Sequence, residues 1–247
     1  MATHNNNDVI LPKPKLNLVD LPKDTLTLIC GLLTMKEACN LYSTGSNNLR
    51  KAIAKTKFDF YDVPIPYGVS VRQFRKVFTC AMGINIYNPY EMTNDDFRCM
   101  IPRNCYGKKM KGFRLNLSTY KGLPYRGTTN PSFRRFSRKA FKRLKGIHTL
   151  SIYMNFQIEN SDFRSLRGIH TLNMDFCDHI RPKTFRHLKG IKHLSMRCLH
   201  DNITDEVLTH LNGVQTLDVK YSMGISYEGY EELMGVPMAE EVDSDEE

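Results

Sequence analysis

Apolar and polar positions alternate over short stretches of this chain, and the stretches recur at a fixed distance. The nine residues LKGIHTLSI at 144–152 return as LRGIHTLNM at 166–174, LKGIKHLSM at 188–196 and LNGVQTLDV at 211–219, with an echo, LMGV, at 233–236. Spacings of 22, 22 and 23 residues mark a chain assembled from stacked units. Within each unit the pairs Leu150/Ile152, Leu172/Met174, Leu194/Met196 and Leu217/Val219 alternate with polar residues, which is the period of a strand with one buried face. Further apolar residues (Ile158, Ile180, Ile203, Ile225, then Phe163, Phe185, Leu208, Tyr230) anchor a loop and a returning short helix. Gly146, Gly168, Gly190 and Gly213 stand where such a helix needs a left-handed residue to stop. One unit of about 22 residues cannot cover its own apolar face. It must stack, with strands side by side and helices on the opposite, convex side.

Weaker copies lie upstream. Ile84, Ile86, Met92 and Phe97 keep the offsets of the regular units, Leu115 and Leu117 fit with Phe141, and Phe58 and Phe60 precede a helical run of Val71, Phe74 and Val77. The expected count is six to seven units across 57–236, regular from 144. These residues resemble leucine-rich repeats: the L-x-x-L-x-L core is present, and Asn155 and Cys177 stand where that family has Asn or Cys. Ile203-Thr204-Asp205 with Leu208 is similar to the cysteine-containing subtype, whereas Leu199 and Ser222 depart from the Asn/Cys position. The resemblance implies a curved α/β solenoid whose concave strand face binds a protein.

Residues 18–54 fall outside the period. Pro22 suits a first helical turn, and Leu26, Ile29 and Leu33 share one helix face, with Leu28 and Leu32 adding apolar surface. Thr34 and Glu37 form a capping box, Ala38 and Leu41 continue an apolar face, and Ser46 is placed to cap a third helix carrying Leu49 and Ile53. Three helices this short have little core of their own and call for a partner or a neighbouring domain. The stretch resembles the F-box, through Leu21-Pro22, Ile29, Leu33 and Leu41, although the aromatic often found in the third helix is absent. That resemblance implies docking to a Skp-type linker subunit, and through it to a cullin, by Leu21, Pro22, Leu26, Ile29, Leu33 and Leu41. It implies a substrate adaptor of an SCF-type ubiquitin ligase with no active site of its own. Two other classes stay open: a repeat scaffold unrelated to ubiquitination, whose N-terminal helices merely cap it, and a basic-surface nucleic-acid binder.

Composition narrows the setting. The chain has 247 residues, 41% hydrophobic and 25% charged, with no apolar run near the length of a bilayer span, so no membrane partner is expected. Seven scattered cysteines argue for reduced thiols, and the expected compartment is the cytoplasm or nucleus. Residues 1–17 and 237–247 read as disordered ends. Of the net +9, the last eight residues subtract six acids (Glu240, Glu241, Asp243, Asp245, Glu246, Glu247), so the remaining body carries +15, a surface that attracts nucleic acid or an acidic protein without deciding between them. In FRRFSRKAFKRLK, 133–145, Phe133, Phe136, Ala140 and Leu144 share one helix face and seven cations surround it. This reads as a solvated repeat helix before it reads as a nucleic-acid site, since no binding module accompanies it.

No catalytic constellation or cofactor motif is present. The pairs Cys177/His179 and Cys198/His200 offer zinc-type ligands, but they lie slightly out of register and lack a knuckle spacing. Alternation assigns twelve side chains to the face opposite the core: Thr149, Ser151, Tyr153, Thr171, Asn173, Asp175, His193, Ser195, Arg197, Thr216, Asp218 and Lys220. The substrate site is expected at Ser151, Tyr153, Asn173, Asp175, Ser195, Arg197, Asp218 and Lys220. By itself the chain is expected to be monomeric.

Overall fold

The computed structural model describes residues 18–86, 89, 92–100, 112–118, 138–156 and 158–238. Both expected disordered ends, save 237–238, and Phe133, Arg134, Arg135 and Phe136 of the basic run lie outside these residues. The chain divides into two compact units, Met1–Thr56 and Lys57–Glu247.

The first unit holds α1 (Lys23–Gly31), α2 (Met35–Ser43) and α3 (Asn47–Lys55). Pro22 precedes the first turn and does not join it, since its ψ of 144° is extended. At α2 the capping box closes: Glu37 N–H donates to Thr34 Oγ1 at 3.3 Å and Thr34 N–H to Glu37 Oε2 at 2.8 Å. Ser46 occupies the cap position of α3 without a side-chain hydrogen bond. α3 packs on both α1 and α2, and Leu26, Cys30, Met35, Ala38, Leu49, Ala52 and Ile53 form the core between them.

The second unit is α/β, built on a seven-stranded parallel sheet in chain order. Its strands are β1 (Asp59–Pro64), β2 (Gly83–Asn85), β3 (Arg114–Asn116), β4 (Thr149–Ser151), β5 (Thr171–Asn173), β6 (His193–Ser195) and β7 (Thr216–Asp218). From β2 onward the ladders stay in register, so Ile84, Leu115, Leu150, Leu172, Leu194 and Leu217 stand side by side. All six are buried. Between strands run α4 (Val71–Val77), α5 (Asn94–Met100), α6 (Arg138–Phe141) and 3-10 turns at Lys142–Leu144, Asp162–Leu166, Pro182–His187 and Asp205–His210, with α7 (Tyr227–Met234) at the end. The returning segments of the regular units are thus 3-10 turns, a tighter form that fits where only five or six residues are helical. Phe163, Phe185 and Leu208 of these turns, and Phe141 at the end of α6, are buried in the core.

Gly146, Gly168, Gly190, Gly213 and Gly235 have φ of 85°, 80°, 86°, 82° and 69°, which is the left-handed stop each unit requires. A second left-handed position was not legible: Met154, Phe176, Cys198 and Tyr221, all non-glycine, have φ of 52°, 57°, 52° and 61°. They turn the chain just after each strand. The next residue in each unit then reaches back to the preceding one. Asn155 Nδ2 donates to Leu117 O at 2.8 Å, Cys177 Sγ to Ile152 O at 3.1 Å and Ser222 Oγ to Met196 O at 2.8 Å. Ser222 therefore continues the ladder, and Leu199, with no polar side chain, interrupts it.

Near β1 the core is aromatic, with Phe58, Phe60, Phe74 and Phe78 in contact at ring centroids of 4.9–5.8 Å. Arg75, one residue beyond Phe74, is also buried. Its guanidinium donates to the carbonyls of Met100, Phe78 and Ala81. Helical periodicity marks Val71, Phe74 and Val77, but it gives no sign that an arginine beside them closes the turn.

Candidate binding surfaces

In the first unit, α1 places its apolar residues on two sides. Leu26 is 2% exposed and belongs to the core, which corrects its assignment to a partner-facing set: the i to i+4 spacing pairs it with buried Cys30, facing α3. Ile29, Leu33, Leu21 and Leu41 are half-buried and Pro22 is exposed. Leu28 and Leu32, one turn apart, are 75% and 87% exposed. Single exposed leucines are ordinary; two adjacent ones next in sequence to the half-buried Ile29 and Leu33 form a patch.

In the second unit, the polar face of the sheet is a network and not a uniform grid. Asp175 is 0% exposed although alternation turned it away from the core. Its carboxylate accepts from Ser195 Oγ at 2.6 Å, Arg197 N–H at 2.9 Å and Arg197 Nε at 3.0 Å. It therefore holds the face together and offers nothing to a ligand. Ser151, 6% exposed, is likewise covered, sharing a 2.7 Å hydrogen bond with Ser118. Thr149 is buried as well. Tyr153, Asn173, Ser195, Arg197 and Asp218 are half-buried and Lys220 is exposed. Arg197 Nη2 pairs with Asp175 at 2.9 Å, and its Nε lies 3.7 Å from Asp218. Burial works against the charged guanidinium, yet the hydrogen bond and charge of Asp175, with Asp218, hold its pKa above the ordinary arginine value.

Sequence reasoning missed the other end of this face. Arg114 Nη1 bonds Asp59 at 2.7 Å, and its guanidinium lies 4.2 Å from the centroid of the Tyr61 ring. Gly83 makes room for this cluster, because a Cβ there would come within 1.6 Å of the Asp59 carboxylate. A glycine inside a strand is the signal for such close approach. At the edge of the same face His148 stacks on His170 with centroids 4.4 Å apart, and His170 on His193 at 5.0 Å. Desolvation, then His170, Arg114 and His193, lower the pKa of His148.

Cys177 is a structural donor, its thiol pushed up to about 12 by burial. Among the described residues there is no group of three or more His, Cys, Asp or Glu that could hold a metal ion, and no helix long and apolar enough to cross a membrane. No known protein family matches this chain, and neither does any curated protein.

Proposed function

We propose that the protein is a non-catalytic adaptor of an SCF-type ubiquitin ligase, with an F-box in residues 18–54 and leucine-rich repeats in 57–236. The observation that carries this reading is the exposed Leu28/Leu32 patch on a separate three-helix unit that precedes a parallel sheet of period 22. The helices present this apolar surface to a Skp-type subunit. Leu28, Leu32, Ile29, Leu33 and Pro22 make the contact, while Leu26 supports it from within. The polar sheet face takes a protein substrate through Tyr153, Asn173, Arg197, Asp218 and Lys220, with Asp175 fixing Arg197. Mixed charge with an aromatic suits protein recognition.

Co-purification with a Skp-type subunit tests the reading. Leu28→Glu with Leu32→Glu should abolish capture while leaving the melting temperature unchanged, since both side chains already lie in water. Capture undiminished by that pair would remove the adaptor assignment and leave a repeat scaffold.

A further inference from the structure

Three successive units carry the same cations on their helical side. After buried Phe141, Phe163 and Phe185 come Lys142, Arg164 and Arg186; after buried Leu144, Leu166 and Leu188 come Lys145, Arg167 and Lys189. All six are exposed, and none forms a salt bridge among the described residues. Because the strands are in register and each 3-10 turn packs on the next, equivalent positions align into two columns. No carboxylate stands among 142–145, 164–167 or 186–189. On this side the spacing is that of packed helical turns, about 8 Å and wider than that of the strands, so neighbouring cations stand about one Debye length apart and repel one another. Their field is felt by buried His187, whose pKa is lowered by desolvation, then by Arg167, Arg186 and Arg164.

A counter-charge of matching size leaves the fold at the same edge. α7 packs on the turn Asp205–His210, and Gly235 stops it at the position where Gly190, Gly168 and Gly146 follow Lys189, Arg167 and Lys145. Beyond Met238, the nine residues AEEVDSDEE carry six acids. Nine residues span at most about 30 Å. The three cation pairs lie two to four units back, roughly 16 to 32 Å at about 8 Å per packed turn, so Arg186/Lys189 and Arg164/Arg167 fall within that reach and Lys142/Lys145 at its limit.

We propose that the two columns, Lys142/Arg164/Arg186 and Lys145/Arg167/Lys189, form a strip that binds the chain's own acidic segment 239–247. The segment masks the strip until a stronger polyanion displaces it. The contact is electrostatic and weakens with salt. It is independent of what the N-terminal helices bind.

The test uses the full chain with Glu240, Glu241, Asp243, Asp245, Glu246 and Glu247 all changed to their amides. A fluorescent peptide of residues 239–247 should bind this variant about tenfold more tightly than the unaltered chain, several exposed pairs acting together. Adding Arg164→Glu, Arg167→Glu, Arg186→Glu and Lys189→Glu should abolish binding, whereas adding Lys220→Glu should not. The His187 titration, followed by NMR, should move lower in the amide variant, because the cations lose their counter-charge. Equal peptide affinity for both chains overturns the proposal, as does binding lost with Lys220→Glu but kept by the strip reversal. Single-stranded RNA bound equally by the unaltered and amide chains would also overturn it, assigning the strip to nucleic acid.

Discussion

Asp175 shows how much one residue can hold. It sits on the polar face, fully buried, and collects a serine hydroxyl, a backbone N–H and the Arg197 guanidinium from the next unit. Asp175→Ala should cost about 1–3 kcal/mol, the scale for hydrogen bonds to a charged group, because Arg197 keeps Asp218 and some water. Thermal melts check it, and a loss below a few tenths would mean that the network adds no stability. His148 makes the opposite kind of prediction. Its pKa in the folded protein is lowered by desolvation, His170, Arg114 and His193, so the unfolded chain takes up the proton more readily. Stability should therefore fall as pH drops through the ordinary histidine value of about 6.5. His187 is lowered too and works in the same direction. The double variant His148→Gln, His187→Gln should flatten the melting temperature between about pH 7 and 5. An unchanged slope would place the pH dependence elsewhere.

At the scale of elements, the strand is the best-specified feature and the loop after it the least. Leu172 and Leu194 face neighbours on both sides in register, so each change to Ala should cost roughly 2–5 kcal/mol, while Asn173→Ala should cost less, since it opens no core cavity and removes only two 3.2 Å hydrogen bonds with Asp175. The reverse order of melting temperatures would put the strand register off by one. That register was readable from sequence because the leucines recur at period two within a unit and at 22 or 23 between units. The glycine stops were readable for a related reason: φ near 80° excludes most other residues. Burial on the polar face was not readable. Alternation says which way Ser151 and Asp175 point, but their covering comes from Ser118 and Arg197 in adjacent units. The left-handed residues after each strand were hidden because Met, Phe, Cys and Tyr carry no turn signature. They are held there by N–H groups bonding forward, as Phe176 does to Arg197 O at 2.9 Å. In α1 the apolar stripe was visible, but Leu26 and Leu28 are equally hydrophobic, and only packing decides which one meets α3.

For the whole molecule, the chain divides after Thr56 into two compact units, each with a core of its own. The second unit has its own aromatic start at Phe58, Phe60, Phe74 and Phe78, its own ladder and a closing helix, so its stability should follow from nearest-neighbour stacking inside it. A chain shortened to residues 57–247 should then melt in a single cooperative transition. On the adaptor reading it should also lose all capture of a Skp-type subunit while keeping its substrate. Expressed in the native cell, it would shield that substrate from ubiquitination by occupying it without delivering it. The complementary variant of the whole chain, Arg197→Ala with Lys220→Ala, should keep the Skp-type subunit and release the substrate, because it removes two cations of the polar face and leaves residues 18–54 untouched. The two chains separate fold from function. A shortened chain that aggregates or melts without cooperativity would mean that residues 18–56 complete the core at β1, the role of a cap. A shortened chain that folds yet leaves substrate ubiquitination untouched would preserve the two-body architecture and remove the adaptor function from it.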